Sequence, residues 1–139
     1  MATILVTGGN GFIGSHTCIS LLNKGYDVLI LDSLVNSYFS VLEKIKIINR
    51  RNKTKVKFVK GDLRDISIIE RVFQETKDKG EEIESVIHFA GLKAVAESFL
   101  IPLEYWEVNV VGTINLLKVM EKNNCYNLVF SSSASIYGA

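Results

Sequence analysis

Cysteine is scarce in this sequence. Cys18 and Cys125 are the two present, and they form no CxxC or other ligand pattern. That argues against a disulfide framework or a thiolate metal centre and for two buried thiols in a reducing compartment. A surplus of one charge is also lacking: 16 Lys and Arg against 15 Asp and Glu leave a net charge of +1, which offers nothing to a nucleic acid. No apolar run reaches the length needed to cross a bilayer. The N-terminal apolar stretch is short and runs directly into glycines, so no signal peptide is expected before the first strand, and a cytoplasmic location follows. No low-complexity segment, linker or short-period repeat interrupts the chain. What remains is 139 residues, 47% hydrophobic and 22% charged, which suits one domain able to bury a core without disulfides.

Apolar strand-like runs alternate with helical stretches. "TILVT" (3–7) is a short β-rich run ending at glycines. "GFIGSHTCISLLNKG" has helical spacing of Phe12, Ile13, Cys18, Leu21 and Leu22, with Gly25 as its C-cap. "YDVLILD" is a second strand, ending at Asp32. "SYFSVLEKIKIINRRNK" reads as an amphipathic helix with a basic end. "VKFVKGD" is a third strand, and "DISIIERVFQETKDKG" a helix capped by Asp65 and ended by Gly80. "SVIHFAG" is a fourth strand. A long helix follows, with Pro102 near the first turn of its main segment, and Trp106, Val110, Ile114 and Leu117 are expected as its core-facing stripe. "NLVFSSS" is the fifth strand. Val-, Ile- and Leu-rich strands alternating with helices predict an α/β fold, a doubly wound parallel sheet of Rossmann type with about five strands. Ligands of such sheets bind at the carboxyl ends of the strands.

The first strand ends in "TGGNGFIGSH". Gly9, Gly11 and Gly14 match G-x-G-x-x-G, and Gly8, Gly11 and Gly14 match a looser G-x-x-G-x-x-G. The triplet gains meaning from its context: a strand before, a helix after, and an acid ending the next strand. A tight turn needs positive φ, a pyrophosphate must approach backbone without a Cβ in the way, and the helix N-terminus offers N–H groups and a positive dipole end. Asp32 stands 18 positions after Gly14. Its carboxylate can accept the adenosine ribose hydroxyls and would repel a 2′-phosphate, so NAD is expected over NADP. Asp62 and Leu63 follow the third strand. Asp62 suits an adenine amino group or a loop cap equally well, and Leu63 could pack on the ring. After the fourth strand, Ala90 and Gly91 are small enough for backbone to run beside a cofactor. Lys93 suits a phosphate, a ribose or plain solvent. His88 reads as a neutral, hydrogen-bonded core residue rather than a base.

Together "VTGGNGFIGSHT", "LDSLVNS", "VIHFAGLKAV" and "FSSSASIYG" resemble the N-terminal part of the UDP-glucose 4-epimerase family, extended short-chain dehydrogenases/reductases. The resemblance runs essentially the whole length of the sequence. It implies a tightly held NAD at Gly8, Gly11, Phe12, Ile13, Gly14, Asp32, Ser33, Leu34, Val35, Asn36, Ser37, Asp62, Leu63, Phe89, Ala90, Gly91, Leu92, Lys93 and Asn109. It implies Ser133 as a catalytic and substrate-contacting hydroxyl. It further implies a UDP-hexose substrate, reversible oxidation at C4, a part in galactose metabolism, and a homodimer for the whole enzyme. The family's base is a tyrosine with a lysine four residues on, whose charge favours phenolate.

No such pair occurs here. The residues four beyond Tyr26, Tyr38, Tyr105 and Tyr126 are Ile30, Leu42, Asn109 and Phe130, and Tyr137 has none. We therefore expect residues 1–139 to be an NAD-binding domain lacking the Tyr–Lys pair and the substrate part, inactive alone, with Tyr137 structural. A related sugar-nucleotide epimerase or dehydratase, a non-catalytic dinucleotide-binding module, and an unfolded or oligomeric piece whose exposed sheet edge is normally covered are the other readings.

Overall fold

The computed structural model describes residues 2–133. Tyr137, expected to be structural, lies outside them. Among the described residues five strands form one parallel sheet in the order β3-β2-β1-β4-β5, with β1 Thr3–Thr7, β2 Asp27–Asp32, β3 Val56–Lys60, β4 Ile83–His88 and β5 Asn127–Phe130. Strand order reverses between β1 and β4. The chain winds outward from β1 to β3, then crosses back to add β4 and β5 on the other side, which is the doubly wound Rossmann arrangement.

Alternation along the strands builds two cores. Ile4, Val6, Val28 and Ile30 point to one face and pack with Cys18 and Leu22 of α1 (Phe12–Asn23) and Leu42 and Ile45 of α2 (Phe39–Ile48). Leu5, Leu29 and Leu31 point to the other and pack with Ile69, Val72 and Phe73 of α3 (Ile66–Asp78) and Leu116, Val119 and Met120 of α6 (Gly112–Lys122). Every residue of β1 and β2 is buried, as strands covered on both faces require. Asp65 caps α3, its carboxylate accepting the Ser67 N–H. Gly25 and Gly80 follow α1 and α3 at φ +93° and +68°, conformations that glycine adopts without a Cβ penalty.

The segment after β4 departs most from expectation. β4 itself ends at His88, so 89–91 are loop rather than strand. A short α4 (Val95–Leu100) breaks at Ile101, and Pro102 opens α5 (Pro102–Trp106) at its first position. A π-helical turn, Glu107–Val111, joins α5 to α6. The expected core stripe is not buried: Trp106 is 64% exposed, Val110 38%, Ile114 44% and Leu117 43%. The π turn carries an extra residue per turn, so the face that meets α3 and the sheet in α6 passes instead through Gly112, Leu116, Val119 and Met120.

Candidate functional site

A cleft of about 340 Å³ opens at the carboxyl ends of β1, β2, β3 and β4, where the strand order reverses. The glycine turn is its floor. Gly8 sits at φ +66°, and a Cβ there would lie 2.7 Å from the Ala90 nitrogen. A Cβ on Gly14 would lie 2.3 Å from the Gly8 carbonyl oxygen. Backbone thus meets backbone where β1, the loop after β4 and α1 converge. Gly11 is the N-cap of α1 and supplies no side-chain acceptor, and no acid stands in the first turn. The amides of that turn and the positive end of the helix dipole are left for a ligand. Gly8, Gly11 and Gly14 line the cleft with Phe12 and Ile13, and the Phe12 ring is 84% exposed.

Asp32 is buried at the end of β2. Its Oδ2 accepts the Asn10 N–H at 3.0 Å, and its Oδ1 accepts the Leu34 N–H and the Ser37 hydroxyl, each at 2.9 Å. These bonds join the glycine turn to the loop after β2 and hold Leu34 at φ +62°, a conformation uncommon outside glycine. Ser33, Val35 and Asn36 line the cleft, whereas Leu34 and Ser37 stand behind it as partners of Asp32. Asn10 donates from Nδ2 to the Tyr38 carbonyl at 2.7 Å.

On the far side, Asp62 and Leu63 line the cleft after β3. The Asp62 carboxylate accepts the Arg64 N–H at 2.9 Å and the Arg64 guanidinium at 2.7–3.1 Å. Hydrogen bonding to Arg64 holds its carboxyl below the usual range. Of the two roles open for Asp62, the loop-capping one is thus realised in its own contacts. The remaining wall is Phe89, Ala90, Gly91, Leu92 and Lys93. Asn109 stands behind this wall and clamps it: its Oδ1 accepts the Leu92 N–H at 2.8 Å and its Nδ2 donates to the Leu92 carbonyl at 2.9 Å.

Sequence reasoning missed Leu31, Gly61, Arg64, Glu104 and Val108, which also line the cleft. Glu104 and Val108 are one helical turn apart, and the Asn109 position offered the only signal that this helix returns to the site. Ser133 is exposed just beyond β5 and is not among the lining residues. β5 nevertheless ends beside β4, since the Ser131 N–H donates to the His88 carbonyl at 3.1 Å. Among the described residues no cluster of His, Cys, Asp and Glu could hold a metal ion, and burial pushes the Cys18 thiol up to about 12, which leaves it unreactive. Asp32 is engaged by three donors and Asp62 by Arg64, so both carboxylates are held in fixed positions in the cleft.

The family described as GDP-mannose 4,6 dehydratase matches residues 5–139. UDP-glucose 4-epimerase of Bacillus subtilis is 50% identical over 97% of the chain, which spans 38% of that relative's length. UDP-glucose 4-epimerase 2 of Arabidopsis thaliana is 48% identical over 98% of the chain, again 37% of the relative. Among solved structures, UDP-glucose 4-epimerase from Bifidobacterium longum in complex with NAD+ and UDP superposes with a TM-score of 0.89 at 50% identity, covering 99% of this chain and 38% of that one.

Proposed function

Because the chain belongs to the GDP-mannose 4,6 dehydratase family, we propose that it forms the NAD-binding part of an enzyme that interconverts UDP-glucose and UDP-galactose. The observation that carries this is the cleft itself: an uncapped helix N-terminus over a glycine turn, with a buried carboxylate at the end of the neighbouring strand. These residues fit a dinucleotide. Gly11 leaves room at the helix start, where its Cβ would meet only the Gly8 carbonyl. Gly8, Gly11, Phe12, Ile13 and Gly14 would hold the pyrophosphate, Asp32, Ser33, Val35 and Asn36, backed by Leu34 and Ser37, the adenosine ribose, Asp62 and Leu63 the adenine, and Phe89 to Lys93, backed by Asn109, the remainder. Identity of 48–50% to UDP-glucose 4-epimerases favours epimerase over dehydratase chemistry.

Bound NAD would supply a reversible hydride acceptor for C4 of the hexose. The chain's own part is to bind and orient the cofactor and, through Ser133, to hydrogen-bond the reacting hydroxyl. The base would come from a Tyr-x-x-x-Lys pair that residues 1–139 do not contain. The exposed apolar strip Trp106, Val110, Ile114 and Leu117 supports a homodimer contact. The free, buried Cys18 and Cys125 suit a reducing cytoplasm. No helix of the described residues is long and apolar enough to cross a membrane.

Mass spectrometry of the denatured protein for co-purifying NAD, with titration of the emptied chain by NAD and NADP, tests the reading. NAD should be found, and should bind more tightly than NADP; tighter NADP binding would sink the ribose role of Asp32. Residues 1–139 alone should not turn over UDP-galactose.

A further inference from the structure

A hydrogen-bond chain, buried at Thr7 and His88 and part-buried at its ends, runs behind the wall of the cleft. The Ala90 N–H donates to the Thr7 hydroxyl at 3.4 Å, and Thr7 Oγ1 lies 2.5 Å from His88 Nδ1. On the other side of the ring, His88 Nε2 lies 2.9 Å from Thr113 Oγ1, and that hydroxyl donates to the Asn109 carbonyl at 2.6 Å. A hydroxyl has one proton to give. Thr113 spends its proton on Asn109, so it accepts from Nε2–H. With the proton of the neutral ring on Nε2, Nδ1 is an acceptor, and the Thr7 hydroxyl donates to it while accepting the Ala90 N–H on a lone pair. The chain therefore specifies one neutral tautomer of His88, and Phe130 closes over the ring with centroids 5.6 Å apart. At its far end is Asn109, which grips both polar atoms of the Leu92 backbone.

We propose that His88 is a positioning residue for the nucleotide site: through Thr113 it fixes the π-helical turn that carries Asn109, and so holds the Ala90–Leu92 wall in the shape that receives the ligand. The inference rests on the dinucleotide reading of the cleft. His88 does not line the cleft and touches no ligand. It acts by tying the end of β1, through Thr7, and the start of α6, through Thr113, to one ring, with the Ala90 N–H of the loop after β4 held by the same Thr7 hydroxyl. Asn109 would otherwise sit in a helical segment whose extra residue leaves its register unanchored, and Thr113 alone cannot tell the turn where the sheet lies.

The test uses Thr113→Val, which keeps the shape of a half-buried side chain and removes only the hydroxyl, with His88→Gln as the second variant and Asn109→Ala as the common background. NAD affinity is measured by titration at a temperature where thermal melts show each protein folded, and the Leu92 amide is followed by NMR hydrogen exchange. Loss of the hydroxyl's two part-buried bonds, to His88 and to the Asn109 carbonyl, should weaken NAD binding about tenfold and speed Leu92 exchange by a similar factor. In the Asn109→Ala background Thr113→Val should add nothing, because the clamp it supports is already gone. Unchanged affinity and exchange in a folded Thr113→Val protein, or effects that multiply with Asn109→Ala, overturn the proposal. A wild-type chain that binds no NAD instead overturns the functional reading, and Leu92 exchange then decides the role of His88 by itself.

Discussion

Asp32 is where a single charge has the clearest consequence. Its carboxylate already orders the glycine turn and the following loop through Asn10, Leu34 and Ser37, so its proposed contact with ribose is made by a group that cannot swing aside. Asp32→Asn keeps an acceptor oxygen but removes the charge that repels a 2′-phosphate. The ratio of NADP to NAD affinity should rise about tenfold or more, and an unchanged ratio would place the discrimination elsewhere. Gly14 is a steric case: its Cβ would stand 2.3 Å from a carbonyl oxygen, and backbone has no rotamer to yield. Gly14→Ala should cost about 1–3 kcal/mol in urea unfolding and displace the helix start. His88 adds a pH dependence. Burial first, and then the Lys93 charge, lower its pKa from 6.5 to about 4. The unfolded chain thus takes up a proton that the folded one refuses. Stability is full above pH 6.5 and falls as pH drops toward 4, by at most about 3 kcal/mol. Urea midpoints across that range should show the slope, and His88→Gln should flatten it.

Elements differ in how far their own sequence determines them. In α6, Leu116 is fully buried while the adjacent Leu117 is 43% exposed. Leu116→Ala should therefore cost about 2–5 kcal/mol and Leu117→Ala less than about 1 kcal/mol in dilute monomer, an asymmetry readable by chemical denaturation. Periodicity from Trp106 had pointed to the opposite face. β1 and β2 were legible because a strand buried on both sides needs a near-continuous apolar run, and helix ends were legible because Asp65, Gly25 and Gly80 act locally. The helix after β4 was not, because a π turn is not encoded by a single residue type. It is set by tertiary contacts: Gly112 against Leu63, where a Cβ would come within 3.1 Å, and Thr113 against His88. Arg64 and Glu104 escaped for the same reason. They lie 40 positions apart, and the fold brings Arg64 Nη1 3.9 Å from the Glu104 carboxylate.

At the scale of the molecule, the cleft lies at the carboxyl end of the sheet that separates the two cores. Its lining comes from the glycine turn and the start of α1, from the loops after β2, β3 and β4, and from Glu104 of α5 and Val108 of the π turn. A ligand seated there touches every layer, so its binding energy should be shared by the whole folding unit rather than by one loop. The unfolded chain has no cleft, and binding to the native state alone therefore adds stability by mass action. NAD at 100 times its dissociation constant should add about 2.7 kcal/mol, which for a domain of this size corresponds to a rise in Tm on the order of 10 °C. The shift should be cooperative, with far-UV and near-UV signals moving together. ADP-ribose, which reaches the glycine turn and Asp32, should reproduce much of the shift, while NADP at the same concentration should give far less because Asp32 opposes its extra phosphate. A folded chain whose melting temperature ignores NAD would show that the cleft, however well shaped, is not a dinucleotide site.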